Sequence, residues 1–166
     1  MSVWTPAVVA VAMASLFACE AHLPIAARAA QVESYQCAGF PPGPDEQRLM
    51  RSLAVLKAES KCHVDYCSGV AQVFAVRLVV RAPAGVTAEQ LARLLRCHGA
   101  RALLGEVDLS LRDDPYWLPG SWVDIDVQDA GNSFVVTLTG NSVTDNIHIL
   151  RRAEAFAAQR GTQEGH

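Results

Sequence analysis

The clearest pattern along the chain is an alternation of apolar and polar residues, which predicts three β-strands. The alternation runs through residues 72–81, 122–128 and 133–139. A two-residue period with β-branched and aromatic side chains is typical of strands, because successive side chains point to opposite faces. The polar turn at residues 129–132 predicts that the last two strands form a hairpin. Their predicted core-facing residues are Val123, Ile125, Val127, Phe134, Val136 and Leu138.

A second pattern, apolar residues recurring every three or four positions, predicts three helices. These helices cover residues 45–60, 87–105 and 144–159. Thr87 and Gln90 have the spacing of a capping box, in which two side chains satisfy backbone N–H groups at the start of a helix. The first helix has acidic residues in its opening turn and lysines near its end, as the helix dipole favours.

The predicted order of elements is helix, strand, helix, strand, strand, helix, which indicates an α+β fold. We expect a two-layer sandwich, with a small three-stranded mixed sheet and the helices packed on one face. The strand–helix–strand–strand–helix part has the ferredoxin-like order without its final strand.

The N-terminal segment predicts export. Residues 7–18 carry no charge, and Ser15 is their only polar residue. The run is shorter than the roughly 20 apolar residues of a membrane-spanning helix, and it fits the apolar part of a signal peptide. Residues 19–44 are interrupted by prolines and glycines, so we expect a tether there. The predicted divisions are a signal peptide at 1–18, a tether at 19–44, one α+β domain at 45–160 and a disordered tail at 161–166.

The apolar run ends in Leu16, Phe17, Ala18 and Cys19. This segment resembles the lipobox of bacterial lipoproteins, although Phe17 stands where that motif usually has a smaller residue. The resemblance implies that Cys19 is lipidated and becomes the mature N-terminus, which would anchor the protein to a membrane of the cell envelope. The alternative is cleavage of an ordinary signal peptide, which would give a soluble secreted or periplasmic protein.

The cysteines are consistent with an exported protein. The chain has 5 cysteines, so lipidation of Cys19 would leave an even set. Disulfides are the usual state of cysteines in exported domains, and we expect two bonds among Cys37, Cys62, Cys67 and Cys97. Four cysteines allow three pairings and the sequence does not choose among them; we favour Cys62 with Cys67 and Cys37 with Cys97. The alternative is a metal-binding or redox site, because thiolate and imidazole ligands suit Zn and Cu(I). Its ligands would come from Cys62, His63, Cys67, Cys97 and His98.

Two features could belong either to the core or to a functional surface. His98 lies on the apolar stripe of the second predicted helix, and we expect a core histidine with one hydrogen-bond partner. Tyr116, Trp117 and Trp122 lie in or beside a long loop with prolines. If these rings are exposed, they form a binding surface, because exposed apolar patches usually mark contacts. The alternative is that the rings plug the edge of the core.

Charge and motifs narrow the functional classes. The formal net charge is -3, from 14 basic and 17 acidic residues. Arg151 and Arg152 are the only adjacent basic pair, so nucleic acid is not an expected partner, since phosphate binding needs clustered basic residues. The chain has no nucleophile elbow or paired-acid motif, and we therefore expect no enzyme activity and no cofactor.

Gly140 follows the apolar segment 135–139 and precedes the last predicted helix. This strand–Gly–helix order resembles the BON domains of bacterial envelope proteins, although Asn141 and Ser142 change the spacing and the Gly-Val ending of that family is missing. The resemblance agrees with an envelope location. Together these features predict an exported, membrane-anchored lipoprotein whose non-catalytic domain binds an envelope protein or a lipid partner.

Overall fold

The computed structural model describes residues 23–40, 42–64, 71–106 and 113–161. The predicted signal peptide, Cys19, Cys67 and residues 162–166 lie outside the described residues. The described elements are α1 (Ile25–Gln36), α2 (Pro44–Ser52), β1 (Ala54–Val64), β2 (Ala71–Arg81), α3 (Ala88–Leu104), β3 (Val123–Asp129), β4 (Phe134–Gly140) and α4 (Val143–Gly161).

The strands of the described residues form one sheet with the order β1-β2-β4-β3, in which every neighbouring pair is antiparallel. The α+β class is therefore confirmed, whereas the predicted three-stranded mixed sheet is wrong. The additional strand is β1, and β4 lies between β2 and β3. The ferredoxin-like order is not confirmed by this arrangement and stays a prediction.

β1 lies where the first predicted helix was expected to continue to residue 60. The helix ends at Ser52, and Leu53 has an extended backbone with φ -69° and ψ 124°. The segment is rich in Ala, Glu and Lys, which favour helix in isolation. Pairing with β2 along the length of β1 outweighs this local preference, because tertiary context routinely overrides helix propensity.

The remaining strand and helix predictions are confirmed closely. β2, β3 and β4 begin and end within one residue of their predicted bounds. The hairpin between β3 and β4 includes a hydrogen bond from the Ala130 N–H to the Ser133 carbonyl, with an N–O distance of 2.9 Å. At the start of α3, the Gln90 N–H donates to Thr87 Oγ1 at 3.2 Å and the Thr87 N–H donates to Gln90 Oε1 at 3.0 Å. The capping box is therefore present.

The main core lies between the sheet and two helices on the same face, α3 and α4. Val76 of β2 and Ile125 of β3 both lie opposite Leu138 of β4. These three side chains therefore lie on the face of the sheet that the helices cover. The opposite face carries polar residues, including Asp126 and its register partner Thr137. The fully or nearly fully buried members of the core include Leu78, Val80, Leu91, Leu94, Leu95, Val136, Ile149 and Ala153.

α1 lies inside the segment that was predicted to be a tether. Pro24 precedes the helix, and residues 25–36 contain neither proline nor glycine, so the prolines and glycines that suggested an extended segment lie outside this stretch. α1 packs against α3. Its Ala29 is buried beside Ala100 of α3 and Trp122, in a small apolar cluster separate from the main core.

Gly140 joins β4 to α4 at a point where a larger residue does not fit. A β-carbon at Gly140 would lie 2.5 Å from Cβ of Asp145, which is far inside van der Waals contact. The Gly140 N–H donates to Oδ1 of the buried Asn146 at 2.7 Å. The strand–Gly–helix order is therefore present, while the resemblance to BON domains stays a prediction.

Candidate functional site

The three aromatic rings considered as a binding surface are mostly inside the protein. Tyr116 is fully buried and makes an edge-to-face contact with Phe156, with ring centroids 6.4 Å apart. Trp122 is also buried, and Trp117 is partly buried, with the Arg152 guanidinium 5.2 Å from its ring centroid. Tyr116 and Trp122 therefore plug the edge of the core and are not exposed for binding, whereas Trp117 stays a predicted binding residue.

The cysteines of the described residues divide into one disulfide and one free thiol. Cys37, just after α1, is bonded to Cys97 of α3, which confirms that predicted pair. Cys62 is a free, exposed cysteine on β1. Its predicted partner Cys67 lies outside the described residues, so the second pair stays a prediction.

The residues of the predicted metal site do not converge where they are described. Cys97 is consumed by the disulfide, and His98 is buried on α3. Cys62 and His63 are exposed on β1. Among the described residues there is no group of three His, Cys, Asp or Glu side chains that could hold a metal ion.

His98 is instead part of a buried polar network. Its Nε2 donates to Oδ2 of the buried Asp114 at 2.7 Å, and its Nδ1 lies 3.9 Å from Oε1 of Glu46. The guanidinium of Arg101, only 1% exposed, forms ion pairs with Glu46 and with Glu33, whose Oε2 is 3.0 Å from Nε. This network joins α1, α2, α3 and the loop before β3.

Sequence analysis identified His98 as a core residue but missed Arg101. The available signal was spacing, because Arg101 follows His98 by three residues and Leu94 by seven and so lies on the same apolar stripe of α3. An arginine on such a stripe is almost never fully buried without a partner. Its carboxylate partners come from distant parts of the sequence, which no local pattern identifies.

A groove of about 570 Å³ runs between α1 and the edge of the sheet formed by β3. Tyr35, with 79% exposure, lies at the groove. The wall is completed by Gln31, Val32 and Gln36 of α1, Arg96 of α3, residues 122–126, and Thr137 and Thr139 of β4. Sequence analysis did not predict this groove, because its α1 wall was assigned to a tether.

One contact of α1 orients the polar groups of the groove. Arg28 Nη2 donates to Asp124 Oδ1 at 2.7 Å, and the Arg28 guanidinium lies 4.3 Å from the Trp122 ring centroid. The Trp122 indole N–H donates to the same Asp124 oxygen at 2.9 Å. Asp124 is therefore held by two donors and is not placed to act as a general base.

Asp126 differs from Asp124 in its partners. It accepts a hydrogen bond from Gln128 Nε2 at 3.1 Å, and among the described residues no cation lies within ion-pair distance of it. Asp126 therefore presents to the groove a carboxylate without an ion-pair partner among the described residues, while Arg28 and Arg96 are cations of the same lining.

A smaller hollow of about 260 Å³ is lined by Asp145, His148 and Arg152. Beside it, Ser121 Oγ donates to Asp145 Oδ2 at 2.8 Å. The serine proton is thus directed to a carboxylate rather than to an imidazole, unlike the serine–histidine pair of an activated nucleophile. Burial lowers the pKa of Arg152, although the nearby charges of Asp114 and Asp113 oppose that shift.

Comparison of the chain with protein-family models, with curated proteins and with solved structures gives no match in any of the three. A search of the described helices finds none with both the length and the apolar character needed to cross a bilayer.

Proposed function

We propose that this protein is an exported, membrane-anchored lipoprotein of the cell envelope whose α+β domain binds a macromolecular partner without catalysis. The groove between α1 and β3 is the proposed binding site, and it is the observation that carries the proposal. The groove combines apolar side chains, such as Val32 and Trp122, with polar groups that are already oriented, such as Asp124.

The groove is built as a fixed site. α1 is held against α3 by the Cys37–Cys97 bond. Arg93 of α3 donates to the Gln36 and Ala38 carbonyls at the end of α1. A wall that is already in place lowers the entropy lost on binding, so the contacts that hold α1 support a role in recognition.

The Cys37–Cys97 bond also supports export, because disulfides persist in oxidising compartments and are rare in the cytosol of most organisms. In the proposal the anchor is a lipid on Cys19. Cys19 precedes α1 by six residues, a segment that spans at most about 20 Å. The groove would therefore lie near the membrane surface.

The binding role is tested by site-specific photo-crosslinking in intact cells. A benzophenone amino acid replaces the exposed Tyr35, and a matched control carries the same group at the exposed Glu154 of α4. We expect a discrete adduct from position 35 but not from position 154, and we expect Thr139→Trp, which fills the groove, to abolish it. Equal labelling from both positions, or no adduct at either, would contradict the proposal.

The anchoring part is tested separately. Cys19→Ser removes the acceptor of the lipid and should move the protein from the membrane fraction to the soluble fraction. The readout is cell fractionation with metabolic fatty-acid labelling. If Cys19→Ser remains membrane-bound, the lipoprotein assignment is wrong and the groove proposal is unaffected.

A further inference from the structure

β3 is a terminal strand of the sheet, and one of its edges has no partner strand among the described residues. The hairpin hydrogen bond of Ala130 fixes which backbone groups face that edge. In an antiparallel ladder, hydrogen-bonded and non-hydrogen-bonded pairs alternate. Ala130 and Ser133 form a hydrogen-bonded pair, so every second residue before Ala130 also directs its N–H and C=O groups toward β4; these residues are Gln128, Asp126 and Asp124. The N–H and C=O groups of the residues between them, Val127, Ile125 and Val123, point to the free edge.

A second contact agrees with this assignment. Arg96 of α3 donates to the Ile125 carbonyl oxygen with both Nε, at 3.1 Å, and Nη2, at 2.8 Å. Arg96 also lines the groove, as do all residues from 122 to 126. The groove therefore includes the free edge of β3, and it extends over the polar face of the sheet to Thr137 and Thr139 of β4.

We propose that the groove takes an extended polypeptide segment, which adds to β3 as the next strand of the sheet. This inference rests on the proposed binding function and names the class of its partner. Backbone N–H and C=O groups repeated along an edge are matched by the backbone of another strand, which is how strand addition gains its affinity. The five groove-lining residues 122–126 extend over about 17 Å at the rise of a strand.

The side chains of β3 beside the free edge determine which residues of an added strand are favoured at each position. On the polar face of the sheet, an added strand would lie next to Asp124, which already pairs with Arg28, and next to Asp126, which has no ion-pair partner among the described residues. Directly opposed side chains in neighbouring strands have Cβ atoms about 4.5–5.5 Å apart, so opposite charges are favoured there. On the face of the sheet that α3 and α4 cover, the added strand would lie beside Val123 and Ile125, which are buried. The fitting segment alternates cationic and apolar residues.

The Arg96 side chain covers part of the free edge of β3, because its guanidinium donates to the Ile125 carbonyl. A charged side chain laid across an edge strand is one way in which proteins discourage unspecific pairing. An incoming strand would replace the guanidinium at the Ile125 carbonyl with a backbone N–H. The interaction is therefore selective, because only a segment with enough further contacts displaces Arg96.

The experiment uses the full chain purified in non-ionic detergent and fluorescently labelled, capped octapeptides. One probe alternates lysine and valine, and the control probe alternates glutamate and valine. Fluorescence anisotropy should give at least tenfold tighter binding of the lysine probe. Asp126→Lys should reverse that preference, while Glu154→Lys on α4 should leave it unchanged. If both probes bind with equal affinity, the inferred preference of the groove for a cationic segment is wrong.

Backbone pairing is tested by N-methylation of the lysine probe, either on all valines or on all lysines. Antiparallel addition requires the valine N–H groups and parallel addition requires the lysine N–H groups, so one modified probe should lose at least tenfold in affinity and the other should not. If both methylated probes bind as tightly as the parent, strand addition is excluded.

Failure of this inference is distinguishable from failure of the proposed function. If position 35 gives an adduct in cells but neither peptide binds, the groove binds another class of molecule and strand addition is wrong. If the molecule crosslinked to position 35 is a glycan or a lipid, strand addition is also wrong. If neither the adduct nor peptide binding is found, both the binding role of the groove and strand addition to β3 are wrong.

Discussion

The sheet with its two covering helices and the region around α1 are held together by different kinds of contact. The first is an apolar core whose members, such as Leu78 and Leu138, are completely buried. The second has few buried apolar residues and relies on a disulfide, on the Arg101 network and on the Arg28–Asp124 pair. The comparison indicates that burial of apolar area holds the sheet and its helices together, while the region around α1 depends on a few specific polar contacts that shape the groove.

The largest effect is expected from breaking the polar region at Arg101. Arg101→Ala should lower the free energy of unfolding by about 3–5 kcal/mol, because it leaves the buried Glu46 carboxylate without its cation. Urea denaturation measures the change. The control is Arg101→Met combined with Glu46→Leu, which removes both charges and should cost less than Arg101→Ala alone. A loss below about 1 kcal/mol for Arg101→Ala would show that this network contributes little.

In the apolar core, Leu138→Ala is expected to lower the free energy of unfolding by about 2–5 kcal/mol through lost burial and the cavity that remains. Leu138 is fully buried in the middle of the sheet, on β4 between β2 and β3. The loss should be global, so circular dichroism and tryptophan fluorescence should report the same transition. Two separate transitions would mean that the two regions unfold independently, contrary to this expectation.

The double variant Cys37→Ser with Cys97→Ser should lower stability by about 2–4 kcal/mol, because the bond restricts the unfolded chain. The bond closes a sequence separation of 60 residues. We also expect local loosening of α1, measured as faster tryptic cleavage after Arg28. The core variant Leu138→Ala is the control, since its cleavage should follow global unfolding. Unchanged cleavage at Arg28 would show that the polar contacts alone hold α1.

Arg28→Ala should have a small effect on global stability, no more than about 1 kcal/mol, because partly exposed ion pairs contribute little. The side chains of Arg28 and Asp124 are 42% and 62% exposed. Thermal unfolding measures the effect, with Arg28→Lys as the control that keeps the charge. A larger loss would mean that the stacking of Arg28 on Trp122 stabilises the whole fold.

The smallest expected effect lies at the solvent-exposed side chains of β1, the terminal strand of the sheet on the side away from α1 and the groove. The hydrogen bond and charge of Lys57 lower the pKa of Glu59, so Lys57→Met should raise it, as measured by NMR titration. A carboxylate with a lowered pKa in the folded state adds stability above its unfolded pKa. That contribution disappears as the pH falls through the folded pKa. Lys61→Met is the control and should leave the titration of Glu59 unchanged.

The elements that sequence patterns predicted well are those whose local and tertiary preferences agree. β2 alternates regularly, and α3 begins with a complete capping box. The first part of β1 was predicted as helix because Leu49, Leu53 and Leu56 recur at helical spacing, and the pairing with β2 decides otherwise. For such a segment the sequence carries two compatible patterns, and the partner strand selects one.

The groove could not be predicted because its parts are far apart in the chain. Arg28 and Asp124 are separated by 96 residues, and neither belongs to a motif. Cysteine parity suggested disulfides without choosing among the three possible pairings, and nothing local indicated that the segment before Cys37 is helical and packed. The binding surface was instead assigned to the aromatic loop, whose rings are better explained by burial of large apolar area.

The burial of the Cys37–Cys97 bond has a consequence for making the protein. Cys37 is 4% exposed and Cys97 is 0% exposed, so an oxidant cannot easily reach the two thiols once α1 has docked on α3. Oxidation during biogenesis therefore has to precede or accompany that docking. Expression in a reducing cytosol would yield chains in which the apolar core is complete but the two thiols are unbonded and α1 is held less tightly against α3. Secretion to an oxidising compartment is the appropriate route to homogeneous material.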